Sequence, residues 1–465
     1  MTATEDRDLT TFRLAVTGAV RTAADDGYDE ARKVWNGEID RRPAVIVECA
    51  TSGDVAAALA YAREAGLDVT VRGGGHNLGG SAVANGALTI DLRGLRTITV
   101  DAEAKTARVG GGATWAELDA ATQEHGLAVP GGTWSDTGIG GLTLGGGFGW
   151  LTGKYGLTID NLISADVVTS DGQVLRASAD EHPGLFWALR GGGGNFGVVT
   201  EFEFRLHPVG PLVQLGMFFW EAADGTEALR FLREIVADLP DPTGVLVGAM
   251  CAPPAPFVPA EHHGKPGYAL IIAGFDGPEE HEKVVEQVRG GLPALFELVT
   301  PIPYVQLQKL LEGAPPGLLA YDKGLYVEEL SDEIIDVLVG QMPGRASELS
   351  LVQIFPMRGA FAAAADEDTA FGGRRTPGYL IGSVALALTP ELHAADRAWV
   401  RAMWSALVPH AGNVGGYVNF MSEYEEDRVR ASFGAQKYAR LAAIKAEYDP
   451  ENVFHHNANI RPSGV

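Results

Sequence analysis

Cysteine is almost absent from this chain: 465 residues hold only Cys49 and Cys251. Two thiols cannot build a disulfide framework or a thiolate metal centre, and both are expected as buried apolar groups. Long hydrophobic runs are missing too, since none reaches the ~18 residues that a membrane-spanning helix needs. The opening Met-Thr-Ala-Thr-Glu-Asp-Arg-Asp lacks the basic and apolar blocks of a secretory leader. A cytoplasmic protein with no membrane partner is expected. Positive charge is also short: 36 Lys and Arg face 60 Asp and Glu, a net charge of −24. That balance repels a phosphate backbone and argues against a nucleic-acid partner, and it leaves an anionic cofactor to be held by local amides. The pairs His262-His263 and His455-His456 have no carboxylate or cysteine at coordination spacing along the chain. They read as solvated, and no metal is expected. The run Glu423, Glu425, Glu426, Asp427 reads as a solvent-exposed face.

What the chain has in quantity is glycine. Its 60 glycines are about twice the average share, and they come in short clusters between periodic segments. The most telling cluster lies in Val71 to Asp91, where a strand runs into Arg72-Gly73-Gly74-Gly75-His76-Asn77 and a second strand leaves after Ala87. Side-chain-free turns expose amides that can hold an anion. His76 at the edge could touch whatever the anion carries, or it could be a solvated histidine on an ordinary turn.

The surrounding periodicity predicts helices over Leu9–Val20 and Tyr28–Asn36, a buried strand after Pro43, and a helix capped by Ser52 or Asp54 that Gly66 ends. Asp68–Arg72 then returns as a strand, giving a β-α-β lobe. Strands follow over Leu88–Leu92, Thr97–Val100 and Thr106–Val109, and Thr114 with Glu117 forms a capping box. The stretch from Pro130 to Gly149 is read as a looped surface, because glycine costs nearly ~1 kcal/mol against alanine in a helix. A helix over Pro183–Arg190 and a strand over Val198–Leu206 flank Gly191 to Gly197. Gly192, Gly194 and Gly197 fit G-x-G-x-x-G, but helix precedes strand there, the reverse of a Rossmann site.

After His207-Pro208 the glycine clusters thin out and amphipathic helices alternate with strands, predicting a mixed, mainly antiparallel sheet with helices on one face. The final residues return to the first style, with a strand beginning at Tyr417 and a helix over Ala435–Glu447. Length and this change of style divide the chain into residues 1–207, 208–411 and 412–465.

Four motifs together resemble one family: Arg72-Gly-Gly-Gly-His-Asn, Gly138-Ile-Gly-Gly with Gly145-Gly-Gly-Phe-Gly, Gly191-Gly-Gly-Gly-Asn-Phe-Gly, and Tyr448-Asp-Pro-Glu-Asn-Val-Phe with Asn457 and Asn459. The whole chain resembles the berberine bridge enzyme-like FAD-linked oxidases of the vanillyl-alcohol oxidase superfamily. The resemblance implies an α+β fold in which both chain ends form a two-lobed PCMH-type FAD-binding domain, with an inserted substrate domain of antiparallel sheet covered by helices. It implies FAD bonded covalently through His76, the imidazole adding to the flavin 8α carbon. Many relatives carry a second, cysteinyl link where this chain has Trp134, so a single link is expected. The implied cofactor site comprises Arg72, Gly73, Gly74, Gly75, His76 and Asn77; Gly132, Thr133, Thr137, Gly138, Gly140 and Gly141; Gly145 and Phe148; Gly194 and Val198; and Asn457 and Asn459.

The chain also departs from the family. Where relatives place a tyrosine base in a Tyr-x-Asn-Tyr pattern, this sequence reads Tyr417-Val-Asn419-Phe420, and where plant-type relatives place a glutamate it has Ala363. The remaining candidates for catalysis are Thr137, on the flavin N5 side by resemblance or else a loop hydroxyl bonded to backbone; Tyr417, a base or a packed ring; and Gln353, a group facing the flavin or a bonded sheet residue. The expected activity is hydride removal from a small organic or natural-product substrate with O2 reduced to H2O2. The alternatives are an oxygenase or cyclising oxidase of the flavin N5-oxide type, and a flavin-binding protein without turnover. A small-molecule substrate, O2, and a monomer or homodimer are the expected partners and state.

Overall fold

A computed structural model describes residues 3–312, 317–412 and 414–464. Near the N-terminus the cap of the helix Ser52–Ala65 is Thr51, one residue ahead of the expected position. Its hydroxyl accepts from the Asp54 amide at 3.1 Å, and Asp54 accepts from the Thr51 amide in return, a reciprocal box. Gly66 stops the helix at φ 64°. Val55, Leu59 and Ala62 bury the inner face against a sheet ordered Val20–Arg21, Val45–Glu48, Leu88–Asp91, Val69–Arg72. The last three strands are parallel, so Val69–Arg72 ends by delivering the glycine turn at the sheet edge. The first helix is Ala3–Ala15 rather than Leu9–Val20, because Val20 and Arg21 pair with Val47 and Ile46. The second shrinks to Tyr28–Ala31.

A second, antiparallel sheet is ordered Ile98–Asp101, Thr106–Gly110, Val198–Arg205, Leu162–Val168, Val174–Ser178. Phe202 and Phe204 point into its core between Glu201 and Glu203, as the alternation predicts. Val418, Phe433, Leu441 and Ile460 complete this core, so the tail is part of the interior formed by the first 207 residues.

The third sheet has seven antiparallel strands, ordered Phe296–Pro303, Leu212–Glu221, Pro266–Gly274, Gly244–Cys251, Leu351–Met357, Gly378–Ala387, Leu319–Val327. The helices Gly225–Asp238, Pro278–Arg289, Asp332–Gln341 and Pro390–Leu407 bury their apolar stripes on one face. The opposite face carries Leu246, Ile271, Phe355, Met357 and Leu380, and it packs against Phe148, Trp150, Leu151 and Tyr417. Two of its strands have no counterpart in the sequence reading. Gly244–Cys251 is a short apolar run interrupted by Gly248, although Pro240, Pro242, Pro253 and Pro254 frame it, and Phe296–Pro303 contains two prolines, which only an edge strand tolerates.

The tail is pinned from inside. The fully buried Lys445 ammonium donates to the Asn195 carbonyl at 2.7 Å, the Phe454 carbonyl at 2.9 Å and Asp449 at 2.6 Å. All its protons are thus engaged, as a buried charge requires. The predicted helix Ala435–Glu447 is the second arm of Glu426–Tyr448, which bends at Gly434 (φ 70°). The acidic run is only partly a solvent face: Glu423 accepts from the Tyr321 hydroxyl at 2.9 Å and from Arg401 at 2.6 Å, and lies 3.4 Å from the buried Lys323. Cys49 is buried, whereas Cys251 is half-buried and receives Arg345 Nη2 at 2.8 Å. Among the described residues no helix is long and apolar enough to cross a membrane.

The helix Trp115–Gln123 carries an acid into the interior. Asp119 is buried, with one oxygen taking Gln308 Nε2 at 3.1 Å and the other unpartnered. Burial pushes its carboxyl up to about 7 from an ordinary value of 3.8, with the Gln308 bond opposing. The unfolded chain releases this proton near 3.8 and the folded chain near 7; between those values the folded state binds more protons, so stability falls as pH rises. Asp119→Asn is expected to raise stability at pH 8 by roughly 1–3 kcal/mol and to flatten the decline between pH 4 and 7, as read by urea unfolding across that range.

Candidate functional site

Two glycine loops meet with no side chain between them. A Cβ on Gly74 would lie 2.4 Å from the Gly138 nitrogen, and a Cβ on Gly138 would lie 2.2 Å from the Gly74 nitrogen. Gly75 follows at φ 71°, which turns the chain so that successive amides face outward. Among the described residues, the N–H groups of Gly74, Gly75, His76 and Asn77 donate to no protein acceptor. The opposing loop is fixed by the Trp115 amide, which bonds the Thr137 carbonyl at 3.0 Å, and by the Ile139 amide, which bonds the Ala113 carbonyl at 2.9 Å.

After Gly138 the chain forms a short helix, Ile139–Gly145, where a looped surface is expected from propensity. Close packing overrides the glycine penalty: a Cβ on Gly140 would sit 3.1 Å from the Gly111 carbonyl oxygen, and one on Gly145 would sit 2.2 Å from Asn419 Oδ1. Gly141 is the exception. It is exposed, with nothing within 4 Å of a would-be Cβ, so space lies open above it.

His76 stands beside this helix start. Its Nε2 lies 3.0 Å from Asp136 Oδ1, and its ring lies 4.8 Å from Trp35 and 6.1 Å from Trp134. Burial pushes the Asp136 carboxyl up, but the His76 hydrogen bond, with others from the backbone and Trp35, outweighs that and holds it below its ordinary value. An ionised carboxylate can only accept, so Nε2 carries the proton and Nδ1 keeps its lone pair.

The third cluster, Gly145 to Gly147, packs under the Tyr417 segment. Tyr417 is buried, and its hydroxyl accepts from the Gly147 amide at 2.9 Å and from Asn419 Nδ2 at 2.8 Å. Burial pushes the phenol far above its ordinary range although both donors oppose this. Tyr417 is thereby anchored to the Gly147 turn, and the strand expected there is a 3-10 turn, Val418–Phe420. Phe148 sits among Phe355, Tyr417 and Phe420 at centroid distances of 4.8, 5.0 and 5.4 Å. Phe420 lies over Gly324 and Gly382, where a Cβ would meet its ring at 3.7 and 3.3 Å. Those glycines are in register with each other, and Gln353 continues the row between Gly382 and Gly248. Gln353 thus shares the face of Phe355, two residues along the strand.

At the other end, the Gly191 and Gly193 amides bond the Leu144 carbonyl at 3.1 and 2.9 Å, tying the Gly191–Gly197 turn to the same short helix. Gly194 has open space at its Cβ position, and its carbonyl accepts Asn457 Nδ2 at 3.0 Å. The side-chain oxygens of Asn457 and Asn459 are buried and unpartnered. Free amides, unfilled glycine space and orphaned buried acceptors suit a large polar ligand such as FAD.

Two implied residues do not present their side chains. Arg72 is buried and turns to the Ala31 carbonyl, while Val198 is in the core with Val168 and Phe454. Each supports its loop from beneath. Asn77 bonds the Tyr424 hydroxyl at 2.9 Å, and Gly132 lends its carbonyl to Gln308 at 3.3 Å; Thr133 is half-buried beside it.

A family model described as an FAD binding domain matches residues 43–178, and one described as berberine and berberine like matches residues 416–461. The (R)-6-hydroxynicotine oxidase of Paenarthrobacter nicotinovorans is 31% identical over 465 residues, covering 97% of this chain and 98% of its own. The chain belongs to the berberine-like FAD-linked oxidoreductases. Among solved structures, 6-hydroxy-D-nicotine oxidase from Arthrobacter nicotinovorans superposes with a TM-score of 0.86 at 29% identity over 97% of this chain and 99% of that one. A berberine-bridge-enzyme-like protein of Physcomitrella patens shares the fold with a TM-score of 0.87 at 22% identity, covering 98% and 99%.

This FAD-dependent oxidoreductase holds residues that motif reading passed over. Asp136 follows the Trp134 position by two residues and carries no periodic signal, yet it fixes the His76 tautomer. Trp35 lies in a segment expected as plain helix but packs at a tilt on the same ring. Because the Gly74–Gly138 contact leaves no room, Gly138→Ala is expected to lower stability by several kcal/mol and to yield protein lacking flavin absorbance, checked by thermal unfolding and the visible spectrum.

Proposed function

We propose that this protein is an FAD-dependent oxidase whose flavin is held by one covalent bond from His76 Nδ1, and that it oxidises a small, uncharged amine or aromatic donor. The observation that carries the reading is the Asp136–His76 pair: Nε2 is occupied at 3.0 Å, leaving Nδ1 as the nucleophilic nitrogen. Trp134 stands where a second, cysteinyl link would come from, which supports a single attachment.

When bound, FAD supplies hydride acceptance and its reoxidation by O2. The protein's part is positional. The amides of Gly74 to Asn77 and of Gly138 to Gly141 would hold the diphosphate and ring edge, and Asn457 and Asn459 would direct their unpartnered oxygens at ligand donors. Residues 1–207 with 412–465 would form the flavin-binding part and 208–411 the substrate side, a division supported by the tail's burial in the N-terminal core. Phe148, Phe355 and Phe420 line the substrate side, with Gln353 as its polar group and Thr137 next to Asp136 on the flavin side. An aromatic wall with one amide suits a donor that enters neutral, since no ionised base is needed to remove an O–H proton. That agrees with Phe420 in the place of the family tyrosine.

Two variants test the reading. His76→Ala is expected to give protein whose yellow colour leaves with acid, while the native colour stays in the acid pellet. Colour retained by the variant pellet would sink the His76 tether. Tyr417→Phe is expected to keep turnover within about tenfold of native, measured as peroxide release with a panel of amines and phenols. A loss of ~100-fold or more, the size expected for a removed general base, would restore Tyr417 to the chemistry.

A further inference from the structure

The flavin reading leaves the motif His455-His456 unused. The fold brings both rings to Asp68, at the entry to the strand Val69–Arg72. His455 Nε2 lies 3.9 Å and His456 Nε2 lies 3.5 Å from Asp68 Oδ2, and the two rings are 4.4 Å apart. All three donor atoms fall within 4.8 Å of one another.

The proton positions make this convergence a ligand set. His455 Nδ1 is 2.9 Å from the Asn452 carbonyl oxygen. A carbonyl only accepts, so Nδ1 carries the proton and the lone pair is on Nε2, the arrangement by which a second partner orients a metal-binding histidine. Asn452 itself is held at φ 53°, a left-handed conformation that aims its carbonyl back at the ring. His456 Nε2 is buried, and the Asp68 carboxylate at 3.5 Å is the polar group beside it. Two imidazole nitrogens and a carboxylate oxygen therefore face a common point with no proton required between them. Arg41, the cation that faces His456, is occupied by the carbonyls of Gly79, Gly80 and Val83. The chain's net charge of −24 favours cations in general.

We propose that Asp68, His455 and His456 bind a divalent first-row metal ion, Zn2+ or a close neighbour, with water completing the shell. Two imidazoles and one carboxylate suit that class and leave a position open, because all three residues reach solvent. The ion would clip the tail to the strand that delivers the Gly73–Gly75 turn, 387 residues away in sequence between Asp68 and His455. Its role is structural, since binding only the folded chain raises stability by mass action.

The test uses full-length, tag-free protein freed of metal by chelator and titrated with ZnCl2 by calorimetry, with Co2+ as a spectroscopic probe. The expected result is one equivalent of Zn2+ bound, a raised unfolding temperature reversed by chelator, and Co2+ absorption bands of a nitrogen-ligated site. Asp68→Asn, at an exposed carboxylate, should weaken binding at least about tenfold, and His455→Ala with His456→Ala should abolish the one-equivalent step. Binding unchanged in the double variant, or no binding by native protein, would overturn the proposal. Stabilisation on acidification alone, with no response to Zn2+, would also overturn it and make the cluster a protonated histidine–carboxylate pair. Flavin content does not enter these readouts, so they stand apart from the His76 tether.

Discussion

The structure depends on a contact between two backbones. Gly74 and Gly138 approach so closely that neither position can carry a methyl group, and everything that faces the candidate ligand is referenced to that contact. It sets the outward amides of Gly74 to Asn77 against the start of Ile139–Gly145. It also brings Asp136 from one loop to His76 on the other. Here the glycines permit approach, and their backbone amides take the place of the basic side chains that an acidic protein lacks.

The short helix Ile139–Gly145 is the hub of the arrangement. One end lies on the Gly73–Gly75 turn, its Leu144 carbonyl takes two amides of the Gly191–Gly197 turn, and its Leu142 carbonyl takes Asn419. Tyr417 and Asn419 in turn hold Gly147 and carry Phe420 to the face of the seven-stranded sheet. The tail is kept in place by Lys445, whose buried ammonium ties Asn195 to Phe454. Removing one partner of such a group leaves an uncompensated charge, which costs far more than the pair contributes. The glycine loops and the seven-stranded sheet are thus joined through a few glycine contacts and a few fully satisfied polar groups.

Much of the local structure was legible because its causes are local. The Thr114–Glu117 box, the Gly66 stop and the Phe202–Phe204 alternation were all readable from spacing. The misreadings have tertiary causes. A glycine-rich segment became helix because its neighbours demand bare backbone, and Tyr417 left the expected strand for a turn whose hydroxyl is held by Gly147. The strand Gly244–Cys251 is held between two neighbours, and Phe296–Pro303 exists at the edge because Leu212–Glu221 pairs with it.

The sequence by itself determined the class of the protein: four glycine and asparagine motifs, with a histidine after three glycines. Such information survives as one-dimensional pattern because each motif encodes a turn whose geometry is local. Only the tertiary structure decided which groups act on which. The Asp136 contact to Nε2 of His76, the bond from the Gly147 amide to the Tyr417 hydroxyl, and the meeting of Asp68 with His455 and His456 all join residues that no spacing rule connects. Proton position and desolvation are properties of a folded neighbourhood, and they exist only once distant segments share it.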